Sequence, residues 1–160
     1  MLPKIKTILY ACDLESQTQA ALELVLNLAN AHQAKVILMH AIEPLTTQAS
    51  SMISTYITNE VLASMNKDAK NEIRARMDKV LSELMEKHAE ELSTLETPPE
   101  TLITNGFPTD LIQSVAEEKN VDLIVMNSRT HSRLGQMIIG STANRVIHNS
   151  RVPVLVVPIK

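Results

Sequence analysis

Three groups of polar residues have the types and positions needed to bind a small ligand. Asp13 directly follows an apolar run, where its carboxylate either accepts a hydrogen bond from a ligand or simply caps or turns the chain. Gly140–Thr142 opens a helical pattern, so its free amides and hydroxyls suit a phosphate, although its serine can equally be an ordinary N-cap. Arg129, His131 and Arg133 precede that helix and are either solvated cations or partners of anionic phosphates.

Catalytic chemistry has little support in the sequence. Cys12 is the only cysteine, and a nucleophilic thiol needs a histidine base that the sequence does not place beside it, so we interpret it as a small buried apolar residue. The five histidines show no metal-ligand spacing. We therefore predict no catalytic residue and no metal site built by the protein, and leave open whether it is an enzyme.

The segments that must position these groups are short apolar runs alternating with helical patterns. Runs rich in Val and Ile are typical of strands buried on both faces of a parallel sheet. The predicted strands are Lys6–Ala11, Lys35–Ile42, Glu100–Thr104, Val121–Met126 and Pro153–Ile159. The predicted helices, which repeat apolar residues every three or four positions, are Thr18–His32, Glu60–Leu92, Thr109–Lys119 and Ser141–Asn149. Leu45–Thr58 is rich in Ser and Thr and is predicted to be a mobile loop or a frayed helix start.

This alternation predicts one α/β domain over residues 1–160, with helices on both faces of a single open parallel sheet. The five strands are expected in the order 3-2-1-4-5. Ligands of such sheets bind at the carboxyl ends of the strands, where the order reverses, which here lies between the first and fourth strands. Ala11 and Asp13 arrive there from the first strand, Ala41 from the second and Met126 from the fourth.

Composition excludes several other classes of function. Aromatic residues make up only 2% of the chain, which argues against binding single-stranded nucleic acid by base stacking. The net charge of −3 argues against a DNA-backbone or anionic-membrane partner. A single cysteine allows no intramolecular disulfide, and no apolar stretch reaches the about 18 residues of a membrane span. We therefore expect a cytoplasmic protein with no nucleic-acid partner and no membrane insertion.

Taken together, these residues resemble the universal stress protein family nearly from end to end. Tyr10–Asp13 is similar to the end of the family's opening strand, and Val36–Ile42 to its second strand, whose His40-Ala41 end contacts the base in members that bind nucleotides. The most specific part is Val121–Val157, VDLIVMNSRTHSRLGQMIIGSTANRVIHNSRVPVLVV. In family members this stretch forms a strand, a glycine-containing loop, a Gly-Ser helix start and a final strand.

The resemblance implies an adenine nucleotide, ATP or AMP, with Mg²⁺ possible alongside ATP. Slow ATP hydrolysis ranks low, because no general base or clear Mg²⁺ ligand can be assigned beyond Asp13. Members that bind ATP carry Gly, two residues, Gly, nine residues, then Gly and Ser or Thr. Here Asn127 and Thr130 occupy the first two glycine positions; Asn tolerates positive φ, whereas β-branched Thr resists it. The residues predicted to line the site are Ala11, Asp13, Ala41, Met126, Asn127, Thr130, Gly140, Ser141 and Thr142.

The resemblance also implies a homodimer, in which the last strand pairs with its twofold mate. The residues of that edge are Val154, Leu155, Val156 and Val157. An unpaired apolar sheet edge favours such association on physical grounds. Two functions therefore stay open: a stress protein that senses a nucleotide, and a nucleotide-independent dimer that recruits a regulatory protein.

Overall fold

The chain is built around one five-stranded parallel sheet. A computed structural model describes residues 1–14, 18–128 and 139–158. The strands are β1 (Thr7–Ala11), β2 (Lys35–Ile42), β3 (Glu100–Asn105), β4 (Leu123–Ser128) and β5 (Val154–Pro158). Their order is β3-β2-β1-β4-β5, which confirms the predicted topology. Since β1 lies in the centre, the order reverses between β1 and β4.

Burial on both faces explains why the strands are continuous apolar runs. Ile8 and Tyr10 pack on one side of the sheet and Leu9 on the other, and all three are fully buried. The start of β1 is tied to the start of β4 by Asp122, whose Oδ2 accepts hydrogen bonds from the backbone N–H groups of Lys6 at 2.8 Å and Thr7 at 3.0 Å. This contact fixes where the two central strands begin and so aligns their opposite ends.

Helices cover both faces, as predicted. Their bounds are α1 (Thr18–His32), α2 (Thr47–Tyr56), α3 (Asn59–Lys87), α4 (Pro108–Glu118) and α5 (Ser141–Asn149). α1 and α3 pack on the face of Ile8 and Tyr10, whereas α4 and α5 pack on the face of Leu9. Among the described residues, no helix combines the length and apolarity that crossing a bilayer requires.

Of the two alternatives predicted for Leu45–Thr58, the mobile loop is wrong for most of the segment and the helical alternative agrees better, because the segment contains α2. Thr46 caps the helix by accepting a hydrogen bond from the Ala49 N–H at 3.2 Å. Within the helix, the hydroxyls that suggested a loop donate to backbone carbonyls, as Ser51 Oγ does to Thr47 O at 2.9 Å. α2 nevertheless has no buried residue.

The long helix ends earlier than its apolar period predicts. α3 stops at Lys87, and the chain turns into a short 3₁₀ helix, Glu91–Thr94. His88 lies at this turn, with Nε2 3.1 Å from Glu23 of α1 and Nδ1 3.1 Å from Glu91. The hydrogen bonds to Glu23 and then Glu91 raise the pKa of His88 above its ordinary value. The imidazole therefore links three helical segments, α1, α3 and the 3₁₀ helix.

Candidate functional site

A cleft of about 310 Å³ opens at the carboxyl ends of the central strands. β1, β2 and β4 supply its base, and the first residues of α4 and α5 close it. The cleft thus lies where the strand order reverses, as the topology rule for parallel sheets expects. Its volume falls in the range of about 300–1,000 Å³ that is common for small-molecule sites.

Eight of the nine residues predicted from the sequence meet in this one cleft. They are Ala11, Asp13, Ala41, Met126, Asn127, Gly140, Ser141 and Thr142. The ninth, Thr130, lies outside the described residues, as do the loop cations Arg129, His131 and Arg133. The structure therefore brings together residues from four separate parts of the chain, while their binding of a ligand stays a prediction.

Sequence reasoning missed several lining residues. Glu43 follows β2 by one residue, and Pro108 is the first residue of α4. Both follow strands that end at the same edge of the sheet, so the rule that found Asp13 could have found them. Ile112, one turn further along α4, could not be assigned without the helix packing that places it against the sheet.

The cleft has an apolar floor and a polar rim. Met39, Ile112, Met126 and Ala143 are buried side chains on the face covered by α4 and α5. The rim carries the carboxylates of Asp13 and Glu43, the imidazole of His40, and the hydroxyls of Ser141 and Thr142. A flat apolar group with a polar, hydrogen-bonding substituent fits this division better than a wholly charged ligand.

The start of α5 differs from the more ordinary interpretation of its sequence. Gly140, with φ −55° and ψ 158°, is the N-cap residue, and Ser141 is the first helical residue. Ser141 is therefore not the N-cap, and its exposed side chain lines the cleft. The first amides of a helix have no intrahelical acceptor and carry the positive end of its dipole. This end of the cleft consequently favours an anionic group.

Asn127 lies at the edge of the cleft with its side chain engaged elsewhere. The Tyr10 hydroxyl, fully buried on the α1 face, donates a hydrogen bond to Asn127 Oδ1. Burial, followed by the nearby Cys12 and Asp13, raises the pKa of Tyr10 far above its ordinary value, so the phenol remains a donor. Asn127 belongs to extended β4 and is not among the non-glycine residues with positive φ. Asn127 therefore does not adopt the positive φ that an asparagine would tolerate.

Cys12 is inert in this setting. The side chain is buried, and its Sγ accepts a hydrogen bond from the Leu14 N–H at 3.3 Å. Burial raises the pKa of the thiol, which disfavours the thiolate that a nucleophile requires. His40 Nδ1 lies 2.7 Å from the carbonyl oxygen of Cys12, so the imidazole contacts the backbone there and not the sulfur. Within the described part of the chain, no cluster of three or more His, Cys, Asp or Glu side chains could hold a metal ion.

Comparisons with known proteins cover almost the whole chain. The universal stress protein family model matches residues 4–158. Universal stress protein YxiE of Bacillus subtilis is 31% identical over 150 residues, which are 94% of this chain and 97% of the relative. Universal stress protein MJ0577 of Methanocaldococcus jannaschii is 28% identical over 152 residues, covering 95% of this chain and 94% of that protein.

Solved structures share the fold. The structure of MJ0577 superposes with a TM-score of 0.69 and 28% identity, covering 99% of each chain. A universal stress protein in complex with cAMP has a TM-score of 0.61 at 19% identity, over 99% of this chain and 100% of the other. One from Archaeoglobus fulgidus in complex with dAMP has a TM-score of 0.55 at 18% identity, over 94% and 96%. With its sheet order and the family match over residues 4–158, the chain belongs to the universal stress protein family.

Proposed function

We propose that this universal stress protein binds an adenine nucleotide in the cleft between β1 and β4. The observation that carries the proposal is the meeting of eight predicted residues at the point where the strand order reverses. The complexes of two structural neighbours with cAMP and dAMP support the ligand class.

Each part of the nucleotide has a chemical counterpart in the cleft. The apolar floor suits the faces of the base, while Asp13 and the backbone at Ala41 would hold the base and ribose, as the family resemblance implies. The amides at the start of α5 and the Ser141 and Thr142 hydroxyls would hold phosphate, since helix N-termini attract anions. Mg²⁺ would enter with ATP, because this ion is usually held by phosphate oxygens and only one or two carboxylates.

Replacing Ser141 with alanine is expected to weaken AMP binding by about 10- to 100-fold, because a hydrogen bond to a charged phosphate contributes about 1.5–3 kcal/mol. Titration calorimetry with AMP, and with ATP with and without Mg²⁺, measures this loss. Ser114→Ala is the matched control: Ser114 lies outside the cleft on α4, where its hydroxyl donates to the Asp110 carbonyl at 2.9 Å. Folded wild-type protein that gives no heat at millimolar AMP and ATP would contradict the proposed function.

A second candidate function, recruitment of a regulatory protein by a nucleotide-independent dimer, rests on the sheet edge. β5 pairs with β4 alone among the described strands, so its other side presents unpaired backbone groups. Its residues Val154–Val157 are only half-buried. We propose that this edge pairs with a second copy of the chain, because such pairing satisfies the backbone groups and covers the apolar side chains.

The parallel ladder shows which residues of β5 face the open edge. The Ile124 N–H donates to the Pro153 carbonyl at 2.9 Å, and Ile124 is in register with Val154. In a parallel pair, alternate residues direct both backbone groups to the same neighbour. Leu155 therefore bonds to β4, whereas the N–H of Val156 points to the open edge.

Replacing Val156 with proline is expected to convert a dimer to a monomer while leaving the domain folded. Proline removes an edge donor, and edge strands tolerate it because their outward N–H makes no bond within the sheet. Light scattering gives the mass, and circular dichroism the fold. Val156→Ala, which keeps the N–H, should remain dimeric, and Leu155→Pro should unfold because it breaks the ladder with β4. A folded Val156→Pro dimer would rule out this interface.

A further inference from the structure

Tyr10 is an exception among the aromatic residues of this chain. Its relative exposure is 0%, whereas Tyr56 is 86% exposed and Phe107 59% exposed, and these three are all the aromatic residues present. A buried hydroxyl is unfavourable unless it is hydrogen-bonded, and phenylalanine would fill the same space without that requirement. The phenol of Tyr10 donates to Asn127, a residue 117 positions later in the chain, and the side chains of Thr18 and Cys12 also lie within its hydrogen-bonding surroundings.

Asn127 connects this buried hydroxyl to the cleft. Along β4, Met126 faces the α4 and α5 side and Val125 the α1 side, so alternation puts the Asn127 side chain on the α1 side with Tyr10. Asn127 nevertheless lines the cleft at the end of the strand. The Asn127 side chain is thus held on the α1 face of the sheet, although the residue borders the cleft.

We propose that the hydrogen bond between Tyr10 and Asn127 positions the end of β4 as a wall of the cleft, which makes Tyr10 a positioning residue for the ligand. This inference rests on the proposed function. It also accounts for asparagine at the first glycine position of the ATP-binding pattern. Because strand alternation directs the side chain to the α1 face, where Tyr10 donates a hydrogen bond to it, the side chain does not fill the space that glycine leaves open.

The hydrogen bond between Tyr10 and Asn127 is expected to persist in the folded protein. Tyr10 pairs in register with Val125 in the centre of the sheet, where neither strand can move independently. The phenol does not ionise in the physiological range, since burial raises its pKa. Asn127 is also in register with Val157 of β5, so its backbone is paired at the end of β4 as well. Removing the hydroxyl is therefore expected to loosen the backbone at the last residues of β4, and to have much less effect at the start of that strand.

The first test measures AMP affinity in variants that keep or remove the bond. Tyr10→Phe and Asn127→Leu are each expected to weaken AMP binding by about fivefold. This factor in Kd corresponds to the net free energy of one neutral hydrogen bond. Asn127→Asp keeps the acceptor oxygen for Tyr10 but adds a negative charge that would repel the AMP phosphate, so this variant is compared with wild type using uncharged adenosine, where its affinity is expected to stay within twofold. Tyr56→Phe, at the exposed tyrosine, is the matched control and should change nothing. If Tyr10→Phe lowers stability but leaves AMP affinity unchanged, the residue is only structural and the inference is wrong.

The second test needs no ligand. Amide hydrogen exchange of the unliganded protein is compared between wild type and Tyr10→Phe at Asn127 and Ser128. We expect exchange at these two amides to rise by about tenfold, with Leu123 and Ile124 at the start of β4 unchanged. Equal exchange in the two proteins would overturn the inference. If wild-type protein fails to bind AMP, the proposed function fails, and this measurement alone decides whether the pair orders the end of β4.

Discussion

Replacing Met77 with alanine is expected to lower the free energy of unfolding by about 2–5 kcal/mol, the range for large-to-small substitutions in well-packed cores. Met77 has a relative exposure of 0% and packs in the cluster that contains Tyr10 and Leu22. Leu84, two turns later, is the other of the two buried residues of this 29-residue helix, α3. Because protein cores are closely packed, removing the Met77 side chain leaves a cavity that its neighbours cannot easily fill.

Met65→Ala is the control for this substitution, since it changes the same residue type in the same helix at a site that is 53% exposed. It is expected to change the free energy of unfolding by less than about 0.5 kcal/mol. Urea denaturation, followed by circular dichroism, gives both values from the midpoints when the slopes agree. Equal losses for the two variants would mean that α3 is not docked through Met77.

The length of α3 explains why its apolar pattern predicts more buried residues than the helix contains. The apolar period predicts one continuous stripe from Leu62 to His88, yet Met65 is exposed and Met77 is buried. At about 1.5 Å per residue, the 29 residues of α3 span roughly 44 Å, whereas the eight residues of β2 span roughly 26 Å at about 3.3 Å each. The helix is longer than the sheet it covers, and both of its buried residues, Met77 and Leu84, lie in its second half.

The sheet order and the position of the cleft were predictable because both depend on local pattern. Apolar runs identify the strands, alternation with helices makes them parallel, and parallel strands end at a common edge. That reasoning puts Ala11 and Met126 together although they lie far apart in the chain, and the structure pairs them in register. The bounds of Thr18–His32 and Ser141–Asn149 also agree with the predicted helices.

Contacts between distant polar residues could not be predicted. Nothing near Asn127 in the sequence indicates that its partner is Tyr10, and nothing near His88 indicates Glu23. Both contacts depend on which side chains face each other after the helices and strands have packed. The first contact lies at the end of β4 and the second at the end of α3, so neither follows from the apolar pattern of a single segment.

Replacing Gly106 with alanine is expected to lower the free energy of unfolding by about 1–3 kcal/mol, because φ at this residue is +147°, a conformation that residues with a Cβ rarely adopt. Gly106 begins the turn between β3 and α4, and its N–H donates to the Ile42 carbonyl at 2.9 Å. An added Cβ would also lie 3.0 Å from Leu111 Cδ1. Since this turn delivers Pro108 to the cleft, AMP binding should weaken together with stability.

A double-mutant cycle separates the two causes of this loss. Leu111→Ala removes the atoms that the new Cβ would meet, but leaves the backbone of Gly106 unchanged. If strain at φ +147° dominates, adding Gly106→Ala to the Leu111→Ala protein should still lower the free energy of unfolding by about 1 kcal/mol or more. Urea denaturation measures this loss. If it costs nothing there, crowding against Leu111 is the whole effect and the conformational argument for glycine at this turn is wrong.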